Sequence, residues 1–401
     1  MAQRMVKKAG LDWQIHLTLD RRQALKDADF VSTQFRVGLL NARIKDERIP
    51  ASYGMLGQET NGAGGIFKAF RTIPVILDIV ADMKEFCPGA WLVNFTNPSG
   101  MITEAIATYG KWDKVIGLCN VPVGAMLSEP PLIGKTLDQL TYKFAGIDHF
   151  HWHKVWDETG KNVTMDIVDK MYSDDAGLPQ NIFDVPFYRA LLDDMQMIPC
   201  GYHRYYYREE EMLAHALEEY EGVGTRAQQV KRLEHELFEL CKDPNLAVKP
   251  PQLAERGGAH YSDAACEAIA SLYANKKTHM VVSTVNHGAI PDLPEDHVVE
   301  VSAQIGALPP AERGWLQLMK NMELVICEAG VTGNYGLALQ AFTMNPVIRS
   351  GHTAKRILDE LLIAHQDRLP QFADTIAKLT AAGVTVKDPI AAELDKEPAT
   401  V

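Results

Sequence analysis

With 401 residues, 46% of them hydrophobic and 23% charged, the chain has ample core material and exceeds the size at which one core stops growing, so two closely packed domains are expected. A net charge of −12 and a pI near 5.6 argue against a nucleic-acid or anionic-membrane partner, since neither gains from an acidic surface. No apolar signal segment opens the chain and no run of about 18 apolar residues predicts a membrane span. Six cysteines without CxxC spacing predict a reduced, cytoplasmic protein in which most thiols pack as small hydrophobes.

Residues 2–9 read as a short helix, and Trp13 to Leu19 alternates as a strand. Asp20 caps a helix through Ala28, and Asp29 to Phe35 returns as a strand. This rhythm predicts a parallel sheet flanked by helices, with Arg36 at a strand's carboxyl end, where such sheets hold ligands. A solvated loop arginine is the alternative. Glycines 62, 64 and 65 let backbone approach a ligand or begin a long helix to about Phe86. Ala90 to Phe95 is a buried strand ending in Asn94 and Asn97, which suit ribose or phosphate oxygens, or plain Asx turns.

Lys114 to Leu118 is the next strand and delivers Cys119 and Asn120. Leu140 to Ile147 follows as a strand ending at Asp148-His149, and Phe150 to Asp157 alternates, with a turn at 158–161 and with His151 and His153 on its exposed side. The parallel sheet gives way here to an antiparallel region, so the division is expected near 117: residues 1–117 and 118–401. A loop at 173–179 lacks structural signals, and Tyr202 to Arg208 holds four tyrosines, a pattern common in amphipathic packing. Helices follow from Gln228 to Cys241 and up to Ala274, then strands at 279–285 and 298–304, then helices over 310–380.

Cys119 and His149 make a two-ligand metal site or a buried pair. As ligands they fall short of the three usual in catalytic zinc sites, which favours a labile Mn²⁺-like Lewis acid completed by substrate oxygens.

Six segments occur in one order: Gln34-Phe35-Arg36-Val37-Gly38, Glu47-Arg48-Ile49-Pro50, Gly57-Gln58-Glu59-Thr60-Asn61-Gly62, Val93-Asn94-Phe95-Thr96-Asn97-Pro98, Gly117-Leu118-Cys119-Asn120-Val121-Pro122 and Arg256-Gly257-Gly258. In this the chain resembles family 4 glycoside hydrolases over about residues 1–375, and more narrowly their 6-phospho-β-glucosidases of the cellobiose and chitobiose type. The resemblance implies an α/β fold: a Rossmann-like, lactate/malate dehydrogenase-type parallel sheet followed by a mixed α+β substrate domain. It implies NAD⁺ and a divalent metal, usually Mn²⁺, in place of two-carboxylate chemistry. Hydride leaves C3 of the sugar, a base takes the C2 proton, the aglycone leaves C1, water adds and the hydride returns.

By the same resemblance, Cys119 and His149 are the metal ligands, and Tyr202 the C2 base, ionised with help from the metal, Arg204 or Arg226. Arg36, Asn97 and Arg226 grip the phosphorylated sugar, Glu59 is an acidic site residue, and Asn94 belongs to the cofactor side. Asn120 marks β-specific members, because a neutral side chain there has no proton for an axial leaving group. Asp148 departs from the family's usual Asn before the ligand histidine. The substrate is a phosphorylated disaccharide, and the assembly a homodimer or homotetramer.

No strand or glycine fingerprint precedes residue 10, so the family's glycine-rich front is expected to be missing. The pyrophosphate then lacks a helix N-terminus and the sheet a central strand, leaving an edge or hole and, in a genuine fragment, little NAD-dependent turnover. The competing readings are a non-catalytic sugar-phosphate binder and a 2-hydroxy-acid dehydrogenase-like oxidoreductase; the latter leaves Cys119 unexplained.

Overall fold

The computed structural model describes residues 1–172, 187–255, 260–302, 310–348 and 351–394. The loop expected at 173–179 and the Arg256-Gly257-Gly258 motif lie outside them.

The first half alternates as expected. Helices α1 (Ala2–Lys8) and α2 (Arg21–Leu25) precede β1 (Phe30–Thr33), and the Asp20 carboxylate caps α2 by accepting from the Arg22 and Gln23 N–H groups. Helices α3 (Leu39–Ala51) and α4 (Gly62–Phe86) lead to β2 (Trp91–Asn94), α5 (Ser99–Thr108), β3 (Val115–Gly117) and α6 (Asn120–Ser128). Strands β1, β2 and β3 pair in parallel.

Trp13 to Leu19 is not a strand. Alternation makes a strand only where a second strand takes its backbone groups, and among the described residues no strand pairs with this segment: the Gln3 side chain donates to the Ile15 carbonyl, Leu17 is 80% exposed and Trp13 68%. The glycines opening α4 serve the protein's own backbone. A Cβ on Gly65 would lie 2.4 Å from the Thr60 carbonyl, so the helix starts hard against the Gln58–Thr60 loop.

The second half is antiparallel. Strands β4 (Leu140–Ile147) and β5 (Phe150–Asp157) form a hairpin; α7 (Thr164–Met171), α8 (Arg189–Met195) and β6 (Ile198–Pro199) follow. Next come α9 (Arg204–Tyr207), α10 (Glu209–Glu221), α11 (Arg226–Cys241), α12 (Gln252–Glu255) and α13 (Tyr261–Ala274). Strands β7 (Val281–Val285) and β8 (Val298–Ser302) precede α14 (Pro310–Thr332), α15 (Tyr335–Met344) and α16 (Gly351–Ala364). One eight-stranded sheet results, in the order β1-β2-β3-β7-β8-β4-β5-β6. It crosses residue 117 without a break, through the antiparallel β3–β7 contact at Gly117 and Ser283. The sheet has no hole among the described residues; β1 forms its edge.

His151 and His153 are not exposed alternates. Strand β5 is covered on both faces, so they are 1% and 3% exposed, and each takes a carboxylate partner: Glu300 at 2.5 Å from His151 Nδ1, Glu129 at 3.0 Å from His153 Nε2.

Helix α4 runs through the main core, with Phe67 edge-on to Phe342 at 5.7 Å and Phe70 against Phe372 at 5.3 Å. Charges buried beside it are paired: Arg71 grips Asp46 with two hydrogen bonds of 2.9 and 2.6 Å, and His365 shares the same carboxylate. A second network ties α5, α14 and β8 together. Lys320 Nζ donates to Glu104 at 2.7 Å, Glu323 at 2.8 Å and the Val298 carbonyl at 2.7 Å, and Glu104 also accepts the Val298 N–H.

Lys320→Met would leave two buried carboxylates without their cation. Unfolding stability should drop by about 3–5 kcal/mol, read as a lower urea midpoint; an unchanged midpoint would show that this network does not hold the three elements together.

Candidate active site

The β4–β5 connection is a two-residue turn, Asp148-His149, since Ile147 pairs directly with Phe150. His149 adopts φ +64°, a left-handed conformation that costs a non-glycine residue energy and persists where surrounding structure enforces it. Gly146 (φ +155°) makes the turn possible, because a Cβ there would stand 2.4 Å from the His151 Cα.

The turn places the His149 Nε2 3.5 Å from Cys119 Sγ. Cys119 sits at the N-cap of α6, where Sγ accepts the Val121 N–H at 3.4 Å, and this end of a helix favours negative charge. On the other side of the imidazole, Nδ1 lies 3.2 Å from Asp148 Oδ2, which also accepts the Gly100 N–H at 3.1 Å. Donor atoms of Cys119, Asp148 and His149 all fall within 4.8 Å of one another.

These residues fit a metal ion. A sulfur and an imidazole nitrogen about 3.5 Å apart suit two ligands of one cation at bonds of roughly 2.0–2.3 Å. Asp148 faces Nδ1, so it holds the ring and leaves Nε2 for the ion, the usual outer carboxylate arrangement. Burial, with Asp148 and Glu300 adding to it, pushes the Cys119 thiol well up, and a bound cation is the natural way to hold its thiolate.

The metal group forms one wall of a cavity of about 320 Å³, together with Asn120, Tyr202 and Tyr261. The opposite wall is basic. Glu59 Oε2 lies 2.7 Å from Arg36, 3.1 Å from Arg43 and 3.4 Å from Lys68. Burial would raise the Glu59 carboxyl, but the three cations hold it well below the usual carboxylate range. Burial in turn lowers the Lys68 ammonium to about 7; Arg36 and Arg43 push the same way, and Glu59 opposes them. Three cations surround Glu59, and Glu47 takes up part of the charge of Arg43 at 2.7 Å, so a modest excess of positive charge is left to meet an anion on an otherwise acidic protein.

Of the residues expected at the site, Arg36, Glu59, Asn97, Asn120, His149, Tyr202 and Arg226 line this cavity. Cys119 stands behind His149 and Asn120. Asn94 is not part of it: its side chain is 0% exposed and is spent on Thr33, Thr96, Ser99 and Thr103, tying the strand ends together. Asn97 accepts the Ser99 N–H in an Asx turn at 3.3 Å and also lines the cavity. Arg226 opens α11 and donates to the Glu255 carbonyl at 2.6 Å.

Tyr202 is 5% exposed and packs its ring against His149, with centroids 4.4 Å apart. Burial first, then Tyr205, Cys119 and Glu59, push its phenol well above the usual value of 10. Arg204 lies over the Phe187 ring at 4.3 Å, and Arg43 is in electrostatic contact with Tyr202. Sequence reasoning missed Arg43, Lys68 and Tyr261. Lys68 left a trace, a lone ammonium in the otherwise apolar opening turns of α4.

A model of family 4 glycosyl hydrolases matches residues 1–128, and one of that family's C-terminal domain matches residues 144–348. The chain is 51% identical over 387 residues to a probable 6-phospho-beta-glucosidase of Bacillus subtilis (strain 168), covering 94% of this chain and 88% of the relative. It is 43% identical over 396 residues to a 6-phospho-beta-glucosidase of Escherichia coli (strain K12), covering 95% and 88%. It also resembles the solved 6-phospho-beta glucosidase of Thermotoga maritima with manganese, NAD+ and glucose-6-phosphate: TM-score 0.81, 30% identity, 92% of this chain and 87% of that chain covered.

Because the folded carboxyl of Glu59 titrates below its unfolded value of 4.5, its stabilising effect is complete above that pH and is lost as pH falls through the lower folded value. Glu59→Gln should therefore cost about 3 kcal/mol at neutral pH, by urea unfolding, with the gap to wild type closing as pH falls below 4.5. A gap independent of pH would show that the charge of Glu59 is not what the cations need.

Proposed function

The chain belongs to family 4 of the glycosyl hydrolases, and on that premise we propose that it hydrolyses 6-phospho-β-glucosides with NAD⁺ and a divalent metal, preferably Mn²⁺. The observation that carries this is that one cavity is lined both by His149, with Cys119 Sγ 3.5 Å from its Nε2, and by Arg36, Arg43 and Lys68 around Glu59. Such a cavity suits a sugar with a metal-binding hydroxyl edge and a phosphate. Its makeup favours this enzyme over a dehydrogenase acting on a small hydroxy acid.

When bound, NAD⁺ supplies a reversible hydride acceptor for C3, and the metal a Lewis acid for the sugar oxygens. Among the described residues no strand runs into a glycine-rich turn and helix of the kind that receives a pyrophosphate, so no step is routed through the nucleotide. Cys119 and His149 hold the metal, and Arg36, Arg43, Lys68 and Arg226 hold the phosphate, with guanidinium forks matched to its oxygens. Asn97 orients the sugar. Tyr202 takes the C2 proton: it lies against the ligand His149, where cation charge from the metal and from Arg43 favours the phenolate. Loss of that proton lets the C1 substituent leave and water add. Asn120, neutral beside the metal, supports the β assignment.

The division at 117 then separates a cofactor-facing half from a metal-facing half. Among the described residues no helix is long and apolar enough to cross a membrane, and the six free cysteines support a cytoplasmic setting. Exposed Phe238 and Tyr273 on α11 and α13 support a homo-oligomer.

Assay with p-nitrophenyl β-glucoside 6-phosphate, NAD⁺ and Mn²⁺ under reducing conditions should give cleavage that a chelator abolishes. Tyr202→Phe should lower kcat by about 10²–10⁴-fold with Mn²⁺ affinity retained. Substrate binding without cleavage would make the chain a sugar-phosphate binder, and cleavage that survives chelation would rule out this mechanism.

A further inference from the structure

Behind His149, away from the main cavity, lies a second cavity of about 30 Å³ between the β4–β5 turn, the start of α4, α14 and the end of α15. Its lining includes three buried side chains whose polar atoms have no protein partner: Asp148 Oδ1, Asn61 Nδ2 and Asn345 Nδ2. Asn345 is 2% exposed, Asn61 9% and the Asp148 side chain 1%. The Asn345 amide has a fixed sense, because its Oδ1 accepts the Val347 N–H at 3.0 Å and so leaves the NH₂ group for the cavity. Asn61 precedes α4 without capping it by its side chain.

Orphaned buried polar atoms are costly, and three of them at one small cavity imply a shared partner. Glu323 also lines the cavity, with its Oε2 taken by the Lys320 ammonium; two amide donors repel a cation, whereas the Asp148 and Glu323 carboxylates repel an anion. A water satisfies all three: it accepts from Asn61 and Asn345 and donates to Asp148, the usual three bonds in a volume sufficient for one molecule.

We infer that this cavity is a structural water site and that Asn61 and Asn345 are positioning residues for the metal centre, acting through that water on Asp148 and through Asp148 on His149. The inference rests on Cys119 and His149 being the metal ligands. Asp148 spends Oδ2 on the imidazole and on Gly100, so its plane, and with it the direction of the His149 ring, is set by what holds Oδ1. The C-terminal helices thereby reach the metal although none of their side chains lies beside Cys119.

The test is Mn²⁺ binding by the full chain without nucleotide or substrate, followed by the electron paramagnetic resonance signal of free Mn²⁺, with the apo-protein Tm as a folding control. Cys119→Ser should abolish binding. Asn61→Leu, which replaces the amide by an apolar group of similar size, should weaken Mn²⁺ by about tenfold with little change in Tm; Asp148→Asn and Asn345→Leu should weaken it similarly, the latter with a lower Tm because the Val347 N–H also loses its acceptor. Asp148→Asn combined with Asn61→Leu should be no worse than the weaker-binding single variant, since both act on one water. If Cys119→Ser leaves binding intact, the metal assignment fails and the inference with it. If Cys119→Ser abolishes binding but both leucine variants bind as wild type, or the double variant shows the full product of the two losses, the metal site stands and the water link is overturned.

Discussion

The site depends on one constraint, the two-residue turn between β4 and β5. A hairpin this short fixes register, and fixed register decides which side chain meets which. Ile147 opposite Phe150 leaves only Asp148 and His149 at the tip, and Gly146 opposite His151 lets the strands close. His149 then has no freedom to turn from Cys119, because Asp148 holds its second nitrogen and Tyr202 covers its ring. The strain of φ +64° is offset by these contacts and by the apolar packing of Phe150 against Trp152 and His203. The same register buries His151 beside Glu300, a second carboxylate–imidazole pair in addition to Asp148 and His149.

Against this rigid wall stands an electrostatic one. Without an anion, Arg36, Arg43 and Lys68 would repel each other in a half-closed pocket, and Glu59 keeps them together. It can satisfy one cation's worth of charge and no more. The arrangement therefore stays folded while remaining attractive to a phosphate, and it confines positive potential to the cavity of a protein with net charge −12. Lys68, lowered to about 7, is the softest member of the group, so the charge of the wall responds to its occupant most readily there.

Much of this was legible in the sequence, for reasons that also explain the failures. Strands β2 to β5 stand where apolar runs and turn residues put them, and Cys119 with His149 follows from strands that deliver both at their ends. Periodicity reports which residues could share a face, but not whether a neighbour exists to cover it. Trp13 to Leu19 has the pattern and no partner, whereas β5 has two covered faces and so buries histidines that alternation would expose. Asn94 and Asn97 look alike in sequence. Only the parallel register of β1 with β2, which brings Thr33 to Asn94, shows that the first is consumed by the fold and the second is available. Arg43 escaped notice because a helix interior, where it pairs with Glu47 at i+4, is its ordinary setting. Its role comes from α4 bringing Lys68 to the same carboxylate.

Two tyrosines line the cavity, Tyr202 buried and Tyr261 partly so, and their surroundings separate their roles in the proposed reaction. Burial raises the phenol of both, so neither ionises unless positive charge is near. Tyr261 packs edge-on to Phe95 at 5.2 Å and hydrogen-bonds Asn97, on the side of the strand ends. The contact with Asn97 favours the ionised phenol, but burial outweighs it and Tyr261 keeps its proton. Tyr202 meets the ligand imidazole itself, and the charge of Arg43 reaches it as well. A cation bound by Cys119 and His149 therefore acts on Tyr202 most directly. In the proposed reaction a metal held by Cys119 and His149 would supply the charge that burial otherwise denies the Tyr202 phenolate.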